Sequence, residues 1–112
     1  MTATHEMHVK YNYFALLQNG DKLVEFRLND AKRQKINTGD KIRFICQDDL
    51  STALVLSVSG ISTSSDFGSL LKRFPSSMLG GISYEEQLSD LRNLYNNESE
   101  NEYGTMAIIF EG

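Results

Sequence analysis

Cysteine occurs once among the 112 residues, at Cys46. No internal disulfide can form, and no Cys or His pair has the spacing of a zinc site, so a reducing compartment and a metal-free fold are expected. Proline also occurs once, and the balance of 40% hydrophobic to 23% charged residues excludes a disordered or fibrous chain. Long apolar runs are missing, which excludes a membrane span and a signal peptide and favours a cytoplasmic protein. The segment Met1 to Lys10 is polar and carries His5, Glu6 and His8. With no partners at metal spacing, these histidines are expected in a mobile, solvated N-terminus. A net basic charge is absent too. The formal charge is −4 at pH 7, which excludes a generic polyanion binder, because non-specific nucleic-acid affinity is mostly phosphate neutralisation by Lys and Arg.

What is present fits one small domain over residues 1–112, since two halves of this length could not each bury a core without metals or disulfides. The charge is unevenly spread. Between Lys22 and Arg43 seven basic residues face three acids, whereas the second half of the chain is acidic. A local basic patch able to meet a phosphate is compatible with the negative total.

Periodicity gives the elements. Residues 10–19 read as a short helix with Tyr13, Phe14, Leu16 and Leu17 on one side and Gly20 at its end. From Leu23 to Leu28 the pattern alternates, with Val24, Phe26 and Leu28 on one face and Leu23, Glu25 and Arg27 on the other. Lys41–Gln47 and Ala53–Ile61 read as a hairpin, with a bend at Gly60, and Cys46 falls in register with Ile42 and Phe44 as a small core residue. Ser64 to Asp66 caps a helix over Phe67–Phe74, and Ser83 to Glu86 forms a capping box for a longer helix through residue 95. Its stripe is Tyr84, Leu88, Leu91 and Tyr95. An acidic loop over Asn96–Glu102 precedes a last strand, Thr105–Phe110, buried on both faces. The order of elements implies the α+β class, with a curled mixed sheet flanked by helices.

The most informative stretch is Gly20 to Arg27, of form G-x-K-x-x-E-x-R, followed by Lys32-Arg33 and by the turn Thr38-Gly39-Asp40 leading into Lys41-Ile42. Tyr95, the acids Glu98, Glu100 and Glu102, and Tyr103-Gly104 before the last strand complete the pattern. This order resembles the ASCH family, the activating-signal-cointegrator homology domain, over nearly the whole chain. The resemblance implies a PUA-like mixed β-barrel with short flanking helices, no cofactor, and a cleft that holds RNA or a nucleotide. By position in the motif, Lys22, Glu25 and Arg27 would line that cleft, with Arg33 and Lys41 guiding phosphate; from the residues themselves, Tyr103, just before the last strand, is placed ahead of Tyr95 as an aromatic that would stack on a base. Some small members are amidohydrolases acting on acylated cytidine nucleosides, and others have been proposed to cleave RNA. The amidohydrolase branch has a lysine where this chain has Lys22, and a threonine nucleophile where it has Glu25.

The residues themselves leave alternatives open. Glu25 and Arg27, two apart on a strand, share a face and can pair, with Lys22 close by. On a solvated face such a pair is worth under about 1 kcal/mol. In a cleft the trio would bind an anion or a base edge, and in a hydrolase Glu25 would activate water while Lys22 stabilised negative charge. A third option is a protein-interaction module using the acidic Glu85–Glu102 region.

Overall fold

The computed structural model describes residues 2–111. Met1 and Gly112, the two ends of the expected domain, lie outside the described residues. The chain runs through β1 (Thr4–Val9), α1 (Tyr11–Asn19), β2 (Val24–Leu28), a 3-10 turn at Arg33–Lys35, β3 (Lys41–Cys46) and β4 (Ala53–Ser64). It continues through α2 (Phe67–Leu71), a 3-10 turn at Ser76–Met78, α3 (Tyr84–Leu94), α4 (Asn97–Tyr103) and β5 (Thr105–Phe110). The strands form one sheet in the order β1-β3-β4-β5-β2. β1 pairs with β3 in parallel and every other pairing is antiparallel. Curled into a half-barrel and flanked by helices, this is the expected α+β class with a mixed sheet.

Burial explains the strand assignments. In β5, Met106, Ile108 and Phe110 enter one core cluster with Ile42, Phe44 and Val58. Ala107 faces the other, with Val24, Phe26, Phe67 and Leu70. β5 is therefore the shared wall of two cores, and its uninterrupted apolar sequence follows from that. The Phe44 and Phe110 rings meet edge to face, with centroids 5.4 Å apart. Cys46 is buried in the first core. β4 bulges between Val58 and Gly60, where the bend was expected. α1 ends at Gly20, whose φ of +78° is the left-handed conformation that favours glycine.

Several expectations are corrected. The N-terminal segment is strand β1 rather than a solvated tail: Met7 and Val9 are buried in the first core, and the backbone pairs with β3 from Thr4↔Lys41 to Val9↔Cys46. His5 has a partner after all, because its Nε2 lies 2.9 Å from Asp40 Oδ2. The acidic loop is helix α4, capped by the Asn96 side chain accepting from the Ser99 N–H. Glu100 of this helix is buried and accepts the N–H of Phe67 at 2.8 Å. Finally, α2 stops at Leu71, earlier than expected, and β4 continues to Ser64.

Candidate functional site

The half-barrel ends in two terminal strands, β1 and β2, whose outer edges pair with no other strand among the described residues. Unpaired edges leave alternate backbone groups without partners, and such groups are costly unless satisfied. The carbonyl of Val9 accepts from Gln47 N–H on the β3 side, so by alternation the backbone of His8 faces the open edge of β1. Likewise Leu23 O accepts from Phe110 N–H on the β5 side, which turns the backbones of Val24 and Phe26 to the open edge of β2.

The charged trio saturates these groups. Lys22 Nζ donates to the Val24 carbonyl. Glu25 Oε1 accepts the Phe26 N–H at 3.0 Å, and Arg27 Nη2 crosses to donate to the His8 carbonyl at 3.0 Å. The three also pair with one another, Lys22 Nζ lying 3.5 Å from Glu25 Oε1 and Arg27 Nη2 lying 3.3 Å from Glu25 Oε2. They are far from a solvated face, with exposures of 1%, 8% and 9% for Lys22, Glu25 and Arg27. Lys22 is also enclosed by the Tyr13 and Phe26 rings, whose centroids are 5.4 and 5.2 Å from Nζ.

Burial by itself would raise the Glu25 carboxyl, but Lys22 and Arg27 on its two sides outweigh it and hold the group below the usual carboxylate range. Burial lowers the Lys22 ammonium, against the opposing pull of Glu25. The centre of the trio is the Glu25 carboxyl, set between the side chains of Lys22 and Arg27.

Beside this seam lies a cleft of about 550 Å³. The ends of β1 and β2 form one side, with Val9, Glu25, Phe26 and Arg27, and Arg33 adds a second guanidinium from its 3-10 turn. α3 forms the opposite side through Gln87, Asp90, Leu91 and Leu94, at positions that share a helix face. Tyr13 and Tyr95 contribute aromatic surface. The Tyr13 hydroxyl donates to Asp90 Oδ2 at 2.5 Å. Burial, reinforced by this bond to a carboxylate, raises its pKa above the ordinary phenol value.

Of the residues singled out in the sequence, Glu25, Arg27 and Arg33 line the cleft, while Lys22 sits behind it as the support of Glu25. Arg33 is partly tied down, because its Nη1 donates to Asp30 Oδ2 at 2.6 Å. Lys41 is exposed at the start of β3, opposite Thr4, and Tyr103 is exposed at the end of α4; neither lines the cleft. Tyr95 does, at the end of α3, where its ring also stacks on Phe67 with centroids 5.7 Å apart. Gln87 and Asp90 were missed. Their signal is weak, because polar residues beside an amphipathic stripe read as solvent-facing until the helix is known to border a cleft. Asp40, taken as part of a turn, is a structural hub that accepts from the N–H groups of Ala3 and Asn37 as well as meeting His5. The His5 contact, then the two backbone bonds, lowers its pKa to about 2.

No group of three His, Cys, Asp or Glu residues among the described residues could hold a metal ion, and none of the described helices is long and apolar enough to cross a membrane.

The model of the ASCH domain matches residues 7–112. The crystal structure of hypothetical protein PH0355 superposes with a TM-score of 0.83 at 34% identity, covering 96% of this chain and 97% of that one. The solution structure of protein PF0455 from Pyrococcus furiosus superposes at 0.72, with 30% identity and 96% of each chain covered. The ASCH protein from Zymomonas mobilis is only 14% identical yet reaches 0.70, covering 97% of this chain and 67% of that one. This likeness extends to the fold alone, the PUA-like half-barrel. No curated protein matches the chain.

Proposed function

The chain belongs to the ASCH domain family, and on that premise we propose that it binds single-stranded RNA or a nucleotide in the cleft at the open seam of the half-barrel. The observation that carries this reading is the pair of guanidinium groups on one side of the cleft. Arg27 uses Nη2 for Glu25 and His8, while its Nε and Nη1 have no hydrogen-bond partner among the described residues and are not wholly sealed from solvent. The fork is thus oriented by Glu25 and free to meet an anion such as phosphate. Arg33 stands nearby on the same cleft. The partly buried Tyr13 and Tyr95 rings suit a base stacked between the sides, the common mode for unpaired RNA.

The geometry does not favour a hydrolase over a binding module. Both Glu25 oxygens are engaged and its pKa is lowered, which makes it a poor general base, and Lys22 Nζ is enclosed away from the cleft.

The test is fluorescence anisotropy with short labelled single-stranded RNAs. Binding should weaken about tenfold or more in both Arg27→Ala and Arg33→Ala, with circular dichroism confirming that each variant is folded. Unchanged affinity in both variants would remove this cleft as the site, and no binding to wild type would remove the reading altogether.

A further inference from the structure

The two sides of the cleft are opposite in hydrogen-bonding character, and the difference lies in which atoms the protein leaves unused. On the strand side the free groups are donors, Nε and Nη1 of Arg27. On the α3 side, two of the polar groups that line the cleft leave acceptors unused. Gln87 is 2% exposed and lines the cleft. Its Nε2 donates to the carbonyls of Leu79 and Ile82, each at 3.4 Å. Two carbonyl partners fix which end of the amide is nitrogen. Oε1 accepts nothing among the described residues and is not sealed from solvent. Asp90, three residues on and on the same helix face, has one oxygen occupied by the Tyr13 hydroxyl, leaving Oδ1 as a second acceptor. Tyr13 cannot swing to supply a donor to a ligand without giving up that bond.

Resting on the nucleotide reading above, we propose that the cleft selects bases carrying an exocyclic amine, at position 4 of a pyrimidine or position 6 of a purine, with the phosphate toward Arg27 and the amine toward Gln87 and Asp90. Cytosine and adenine present an N–H₂ donor there, which two acceptors satisfy. Uracil presents a carbonyl at the same place, so its oxygen would face Gln87 Oε1 and Asp90 Oδ1 with no proton between them. A ligand desolvated against groups of the same polarity is rejected by the unpaired atoms left behind. Asp90 and Gln87 act together in this discrimination, and the Gln87 amide is oriented by its two carbonyl partners so that Oε1 remains the acceptor. The exposed Asn93 side chain at the rim has no such restraint.

The experiment compares two pairs: oligocytidylate against oligouridylate, which exchange the amine for a carbonyl and add a proton at N3, and an adenosine-containing oligomer against the same oligomer with unsubstituted purine, which differ at the amine alone. Ring size is matched within each pair. Wild type should favour the amine-bearing member of both pairs by about tenfold. In Asp90→Asn the amide oxygen can keep the Tyr13 bond while its nitrogen turns a donor to the cleft. The cytidine preference should shrink below about twofold by gain of uridine binding, in a variant whose thermal midpoint confirms folding. Equal affinity within both pairs for wild type would overturn the selection while leaving RNA binding intact. An undiminished preference in Asp90→Asn would overturn the assignment to α3. Failure of every oligomer to bind would overturn the nucleotide reading and this inference with it.

Discussion

Lys22 is nearly inaccessible and makes its polar contacts with Val24 O and Glu25, so its removal exposes two separate dependencies. Lys22→Met keeps the aliphatic stem between Tyr13 and Phe26 but leaves the Val24 carbonyl unpaired and Glu25 with one cation fewer. Breaking a buried ion pair by deleting one partner costs about 3–5 kcal/mol, and urea denaturation of the variant should show a loss of that order. A loss below about 1 kcal/mol would mean the pair behaves as a surface one. Asp40 supplies a residue-scale pH dependence. Its folded-state pKa, lowered to about 2 from an ordinary 3.8, gives stability that is complete above the ordinary value and lost as pH falls through 3.8 toward 2. Asp49 and Asp66 are lowered as well, so the diagnostic is the difference between wild type and Asp40→Asn. The gap in thermal midpoint should be widest near neutral pH and close as pH approaches 2. The charged trio was legible as a shared strand face, because period-2 alternation places Glu25 and Arg27 together. Its burial was not, because the seam that needs its hydrogen bonds is formed by His8, seventeen residues away from Glu25 in sequence.

Among the elements, those that sequence reasoning placed well are those whose reasons are local. α3 begins at a Ser83 cap whose hydroxyl accepts the Glu86 N–H at 3.1 Å, and β5 is a continuous apolar run. The elements it missed draw their stability from distant partners. β1 exposes Thr4, Glu6 and His8 and earns its place only by parallel pairing with β3, a contact that no short window contains. α4 is polar along its length, and what it contributes to the core is a carboxylate: Glu100 caps the N-terminus of α2 from 33 residues away by accepting Phe67 N–H. Glu100→Ala leaves that buried donor without a partner, at a cost of about 1–3 kcal/mol. Thermal unfolding should show the loss, and amide exchange at Phe67 should quicken more than at the first residues of α3. Equal acceleration in α2 and α3 would point to general loosening instead of a lost cap.

For the whole molecule, the proposed RNA binding poses the question of how a chain of net charge −4 would meet a polyanion at all. The half-barrel answers by geometry. It leaves one seam open, lines the strand side of that seam with Arg27 and Arg33, places Lys10 on the same cleft, and leaves Lys41 elsewhere on the surface. The basic stretch from Lys22 to Arg43 was legible in the sequence as a patch. Its division into one buried support, two cleft cations, three surface lysines and Arg43, which pairs with Glu6, depends on the curl of the sheet, which composition does not carry. Binding through three cleft cations should show a limited salt dependence, since each phosphate neutralised on a single strand contributes about 0.7 to the slope of log affinity against log salt. A slope near −2 is therefore expected for wild type, falling toward −1.4 in Arg33→Ala, as measured by anisotropy between about 50 and 200 mM salt. A wild-type slope of about −4 or steeper would mean that the exposed lysines outside the cleft also engage the strand. In that case the open seam would be one part of a wider electrostatic surface, and the negative total charge would have to be offset over a longer footprint.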